Sequence, residues 1–250
     1  MTDTPDAVAA PAATDPGSIL GNLFNLYFEP RDSFAKIFVR PRVWMAILLQ
    51  IALGVLFTSI WLQKMNPREF MKAQMEQNSR IQQMPAEQVE RIIETQARVM
   101  QTWGRIAPFF APVVLDLILA GLFMFIFRFF MAADVSFMQS LTTIAWSLAA
   151  LALIQTPLML VVLWLKGDWN VDPNQILQAN PTIFFEIGSI PRWLWSLLSS
   201  FDLFSLWTLF LFATGHAVAA KRGLSTGLWG IGIPWMVYLF IKVCFILMFG

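Results

Sequence analysis

The sequence predicts an all-α integral membrane protein with five transmembrane helices, an extramembrane helical hairpin and short amphipathic helices in the interface. The first ground is a set of five apolar stretches, roughly Val43–Gln63, Pro108–Phe130, Phe137–Leu165, Phe201–Ala220 and Gly227–Gly250. Each is long enough, at 1.5 Å rise per residue, to cross a hydrocarbon core about 30 Å thick. The second is charge: only 13% of the 250 residues are charged, against about 25% in a soluble domain. The third is the placement of Trp44, Trp61, Trp164, Trp193, Trp195 and Trp229 near the ends of the stretches, as in an aromatic belt.

Residues 1–17 carry Asp3, Asp6 and Asp15 among Ala and Pro, with no basic residue. A signal peptide needs a basic start and an apolar core, so this tail is expected to be disordered. The single membrane domain then covers 18–250. Ser18–Val39 has the pattern of one or two short amphipathic helices, lying in the interface or packed on the domain itself. Pro41 suits the first turn of span one. After Trp61, Asn66-Pro67-Arg68-Glu69 has the form of a cap, a first-turn proline and a capping box. A polar helix to about Gln83 follows. Pro85 then opens a second helix with Val89, Ile92, Ile93, Ala97, Met100 and Trp103 at helical spacing. Residues 64–105 thus form a hairpin outside the hydrocarbon. Its apolar stripe packs on its sister helix or the membrane surface, or else binds a partner.

Span two ends at Arg128. Span three is interrupted by Gln155-Thr156-Pro157, and a proline there frees a backbone carbonyl. In the second polar connection, Asp172-Pro173 starts a short helix to about Ala179, followed by Asn180-Pro181. Pro191-Arg192-Trp193-Leu194-Trp195 starts a surface helix leading into span four. Lys221-Arg222-Gly223 is a tight basic turn, and Gly230, Gly232 and Pro234 predict a bend in span five.

Seven basic residues fall on the N-terminal side of five spans (Arg31, Lys36, Arg40, Arg42, Arg128, Lys221, Arg222). Nine fall on the other (Lys64, Arg68, Lys72, Arg80, Arg91, Arg98, Arg105, Lys166, Arg192). The raw count does not set the orientation. The N-terminal side's charges are the denser, which places the N-terminus inside and the C-terminus outside.

Ionisable groups in spans cost about 2.5–3.5 kcal/mol at mid-membrane, so each needs an explanation. Counted from the ends of their stretches, Asp116 and Lys242 sit at a common depth of about 12 Å. Gln155 is slightly deeper, and Asp202 enters from the same face. These four residues form the candidate polar cluster. Asp116 and Lys242 would pair, either as a structural ion pair or as a polar cavity taking a lipid headgroup or ion; otherwise Lys242 snorkels to the interface. His216 is either a pH sensor or a histidine satisfied by a carbonyl or water. Gly215 with Ala219, and Ala145 with Ala149, have the small-residue spacing of close helix contacts, which admits a homo-oligomer.

The composition speaks against several function classes. A net charge of +1 with no basic tract gives no footprint for nucleic acid. One cysteine (Cys244) and one histidine allow no multi-ligand metal site of the usual kinds. There is no nucleotide-binding loop and no HExxH. No cofactor and no catalytic residue are expected.

One stretch carries a resemblance: Leu197-Leu198-Ser199-Ser200-Phe201-Asp202-Leu203-Phe204-Ser205-Leu206-Trp207. With Gly215–Ala220, Lys221-Arg222 and Ile233-Pro234-Trp235, it resembles the C-terminal part of bacterial members of the Yip family, five-span proteins named for the Ypt/Rab-interacting proteins. Glu29-Pro30-Arg31, Phe34, Arg40-Pro41 and Trp44 are similar to the family's approach to its first span. The resemblance runs from about Ser18 to the C-terminus. It implies a cytosolic N-terminus, an outer C-terminus and residence in a membrane, here the bacterial inner membrane. Eukaryotic members bind Rab GTPases in vesicle traffic; the resemblance supplies no reaction. The expected role is a non-enzymatic scaffold or accessory protein, contacting lipids and a membrane partner through the hairpin or the N-terminal helices. The alternatives are a small transporter or lipid-handling protein using the polar cluster, and an accessory subunit of an export system.

Overall fold

The computed structural model describes residues 18–76, 84–186 and 188–249. The expected tail and the apex of the hairpin lie outside these residues. Among the described residues the chain is helical, with no strand. The helices are α1 (Ile19–Phe28), α2 (Pro30–Val39), α3 (Val43–Lys64), α4 (Pro67–Glu76), α5 (Ala86–Phe129), α6 (Phe137–Lys166), α7 (Pro173–Ile176), α8 (Arg192–Ser199), α9 (Leu203–Ala219) and α10 (Leu224–Phe249), with a 3-10 turn at Pro181–Phe184. Four of them, α3, α5, α6 and α10, are long and apolar enough to cross a membrane. Helices α8 and α9, bent by 53° at a short break, make a fifth when counted as one broken span.

Prolines set several boundaries. Ser18 caps α1 by accepting from the Gly21 N–H at 3.0 Å. Pro30 disfavours helical geometry at the residue before it, and Glu29 takes φ −132°, ψ 60° there. Arg40 before Pro41 leaves the helix in the same way. The cap at Asn66 forms as expected, its Oδ1 accepting from Arg68 N–H at 3.1 Å. The expected capping box does not form. Asn170 intervenes: its Oδ1 accepts from Asn66 N–H at 2.8 Å and its Nδ2 donates to Glu69 at 3.2 Å. Asp172 caps the four-residue α7, which ends at Ile176 rather than near Ala179.

The hairpin's second arm and span two are one helix. α5 runs 44 residues through Pro108 and Pro112, about 66 Å at 1.5 Å per residue. The sequence placed a boundary at Pro108, yet nothing between Ala86 and Ala107 stops the helix. A proline inside a membrane helix is tolerated when its neighbours absorb the freed carbonyl. Ile93 and Ala97 of α5 and Met75 of α4 are buried, so the hairpin stripe does pack on its sister helix. Arg68 joins Glu90 and Glu94 across the pair. At the same end of the bundle Trp61, Phe70, Leu163 and Ile176 form a second apolar core. Trp61 is therefore buried rather than part of a belt, and its indole N–H donates to Trp169 O at 3.0 Å. Trp44, Trp164 and Trp229 are largely exposed, as belt residues would be.

The main core lies at the opposite end and includes Leu23, Leu26, Phe34, Ile37, Phe127, Ile144 and Trp146. Both N-terminal helices contribute to it, α1 against α6 and α2 against α9. One face of each is thus buried in the bundle, while Leu20, Phe24 and Phe28 form an exposed apolar stripe on α1. The Tyr27 hydroxyl donates to Ala150 O, and burial pushes its phenol up to about 12. Trp146 donates to Pro41 O at 2.7 Å. The small residues Gly215, Ala219, Ala145 and Ala149 are likewise spent within the bundle, all but Gly215 being core members. They offer no surface to a second copy.

α9 and α10 approach most closely at Gly227, where an added Cβ would lie 2.0 Å from Ala213 O; at Gly232 it would meet nothing within 4 Å. We expect Gly227→Ala to lower stability by about 1–3 kcal/mol and Gly232→Ala to leave the unfolding midpoint unchanged or raised, as measured by thermal unfolding of the two variants in one detergent.

Candidate functional site: polar groups within the spans

The structure separates the four residues that the sequence grouped. Asp116 is fully buried where α3, α5 and α6 meet. Its Oδ2 accepts from Gln50 Nε2 at 3.1 Å, and the same amide donates its other N–H to Ala145 O at 3.0 Å. One amide thus clamps three helices. No basic side chain among the described residues lies within ion-pair distance of Asp116. Its Oδ1 is the one fully enclosed side-chain oxygen or nitrogen among them without a hydrogen-bond partner.

Lys242 lies elsewhere. It is 18 residues into α10, about 27 Å from the start of that helix, and it donates to Ser196 O at 3.1 Å and Ser200 Oγ at 2.9 Å. Both acceptors belong to the last turn of α8 or its cap. Asp202 caps the next helix, its Oδ1 accepting from Phe204 N–H at 2.9 Å and Ser205 N–H at 3.2 Å. The two charges thus flank one helix break. The cation meets the free carbonyls and negative dipole end of α8, and the anion meets the free N–H groups and positive end of α9. The Asp116–Lys242 pair does not form, because Asp116 faces α3 and α6 while Lys242 reaches the end of α8. With α5 running on from Ala86, Asp116 faces Gln50, only seven residues into α3.

Gln155, with Thr156 beside it, lines a groove of about 630 Å³ whose other residues include Gln50, Gly54, Thr58, Pro108 and Pro112. Gln155 joins neither Lys242 nor Asp202.

His216 is fully buried, stacked on Phe127 with centroids 4.8 Å apart and edge-on to Phe123. Its Nδ1 faces Phe212 O at 2.7 Å and its Nε2 faces Ser140 Oγ at 2.9 Å. A carbonyl can only accept, so Nδ1 carries a proton. The Ser140 hydroxyl also lies 2.8 Å from Ala120 O, so its single proton serves either that carbonyl or Nε2. The ring joins α9 to α6 and is satisfied by a carbonyl, as one of the two sequence readings had it.

Sequence reasoning missed Gln50. Its signal was available: it is the only amide or ionisable residue between Val43 and Leu62. Ser140 had no such signal, because serine is common in apolar helices and its partner is 76 residues away. No group of three or more His, Cys, Asp or Glu among the described residues could hold a metal ion.

Apolar helices of spanning length, joined by single polar contacts and braced at one end by a helical arm, define a polytopic helical membrane protein. The chain belongs to the Yip1 domain family, whose model matches residues 24–246. No curated protein and no solved structure matches the chain.

If the Gln50–Asp116 contact is a clamp and Lys242 is independent of it, Gln50→Leu should cost about 1–3 kcal/mol by leaving a second carboxyl oxygen unsatisfied. Combining Asp116→Leu with Gln50→Leu should cost less than the sum of the single changes. Asp116→Leu with Lys242→Gln should be additive within about 0.5 kcal/mol. Thermal or denaturant unfolding of the two double-mutant cycles decides between these outcomes.

Proposed function

We infer that this protein is a non-enzymatic scaffold or accessory protein of the bacterial cytoplasmic membrane. One observation carries the reading: α5 is a single helix, continuous from the bundle core to the end of an arm braced by α4 and by the 167–177 connection. A rigid arm that leaves the membrane surface is suited to holding a partner. The polar groups inside the spans support the same reading, because Asp116, Asp202, Lys242 and His216 each serve a helix contact or a cap. Val99 and Trp103 are exposed on the arm and offer an apolar contact for a membrane protein, which includes a component of an export system. The family's association with membrane-bound partners agrees with this role.

Five crossings, with α8–α9 as one broken span, put the two termini on opposite sides. The three short connections at the end holding Arg42, Arg128 and Lys221-Arg222 are tight and basic. Arg222 donates to Ala132 O at 3.1 Å and Arg128 pairs with Asp134 at 3.2 Å. Dense positive charge beside the spans favours the cytoplasmic side, so the N-terminus is inside and the arm outside.

Extraction in mild detergent with mass spectrometry of co-purifying proteins tests the role. A near-stoichiometric partner, lost in Val99→Asp/Trp103→Asp while the variant protein stays folded, is the expected outcome; retention of every partner by that variant overturns docking through the arm. For orientation, a cysteine at Gln88 in a Cys244→Ser background should react with an impermeant maleimide from outside the cytoplasmic membrane. A cysteine at Ser225 should not, and the reverse pattern inverts the topology.

A further inference from the structure

The groove between α3, α5 and α6 has a feature that helix packing does not explain. Its floor is Gln50, Gly54 and Thr58, a stripe with i, i+4 spacing on α3, and α5 and α6 form its walls. Thr156 is more than nine-tenths buried. Among the described residues its hydroxyl has no hydrogen-bond partner, and neither has the Gln155 amide. Both line the groove. The Thr156 oxygen is not among the fully enclosed unpartnered atoms, so it faces the open space. On the opposite wall Pro108 and Pro112 bring no N–H to the carbonyls of Gly104 and Pro108, and Gly104 and Pro108 also line the groove. Unmet amide and hydroxyl donors and residues whose carbonyls proline releases therefore line one groove, among apolar spans where unsatisfied polar groups cost several kcal/mol each.

The chemistry of the occupant follows from what is present and what is missing. No ionisable side chain lines the groove, so a phosphate or carboxylate there would be desolvated without a counter-charge. The volume lies within the range of about 300–1,000 Å³ typical of small-molecule sites. Thr58 is six residues before the end of α3 at Lys64, about 9 Å along the helix. That depth lies below the headgroup region, where the esters and glycerol of an uncharged lipid can sit. Beside the groove Phe109, Phe110, Ile154 and Leu158 are exposed, and acyl chains can lie along them.

We propose that this groove is a binding site for an uncharged glycerolipid of the diacylglycerol type. The ester carbonyls accept from Gln155 Nε2 and the Thr156 hydroxyl, and the free glycerol hydroxyl donates to a proline-released carbonyl. The groove's proposed donors, Gln155 and Thr156, are on α6 and not on the arm, so the proposal stands independently of docking through Val99 and Trp103.

The test uses the full-length protein in vesicles of phosphatidylethanolamine and phosphatidylglycerol containing a photoactivatable diacylglycerol, with cross-linked peptides mapped by mass spectrometry. Labelling is expected on the groove segments of α3, α5 and α6. Gln155→Leu/Thr156→Val should reduce it roughly tenfold, the loss of one to two hydrogen bonds, and Lys242→Gln should leave it unchanged. Gln155→Met, which keeps the side-chain length, should also reduce it and replaces the double variant if that variant unfolds. Undiminished labelling in the folded variant, or equal displacement by excess phosphatidylglycerol or by a long-chain alcohol, overturns the proposal.

Discussion

Hydrocarbon supplies no hydrogen bonds, and the structure depends on how that deficit is met at Gln50. The amide has two N–H groups, and both are used, one on the Asp116 carboxylate and one on the Ala145 carbonyl. Each bond crosses to a different helix. Three spans that could slide past one another on apolar packing alone are thereby held in one register. Between helices in lipid there is no hydrophobic driving force, so small-residue packing and single polar contacts carry the specificity. His216 with Ser140 repeats the device between α9 and α6, and Tyr27 with Ala150 repeats it between α1 and α6. The tight α9–α10 contact at Gly227 is the packing counterpart.

Charge is handled differently. Asp202 and Lys242 sit at the two ends of an interrupted span, and each meets the helix terminus of opposite polarity. A break inside a membrane protein exposes free N–H groups on one half-helix and free carbonyls on the other. A carboxylate and an ammonium at those termini satisfy several of them and compensate both dipoles without touching one another. This explains how two ionisable residues persist near apolar spans with no salt bridge between them.

Much of the fold was legible in the sequence. Apolar length located the spans, and the Asn66-Pro67, Asp172-Pro173 and Asn180-Pro181 pairs each mark the start of a helix or turn. The family was legible from degenerate motifs around Asp202. The site was not, for physical reasons. Apolar length puts the start of span two at Pro108, but a proline inside a membrane helix removes one donor without ending the helix, and α5 runs through it. Pairing was inferred from charge, whereas the partner Asp116 uses is a neutral amide 66 residues away. The Asn170 bridge that replaces the expected capping box depends on two connections folding against each other, and no local pattern encodes such a contact. For the amphipathic faces of α1 and α2, sequence leaves interface and self-packing equally open; the tertiary core takes Leu23, Leu26, Phe34 and Ile37 and leaves Leu20, Phe24 and Phe28 exposed.

The continuity of α5 has a mechanical consequence. This one helix carries Ile93 and Ala97 at one end and Asp116 and Phe127 toward the other, and between them Pro108 and Pro112 each leave a carbonyl without its intrahelical N–H. The arm meets the bundle at Gly104, where an added Cβ would lie 3.0 Å from the Leu62 side chain. The arm and the bundle share this helix, so a bend at the two prolines would change how the arm stands on the bundle.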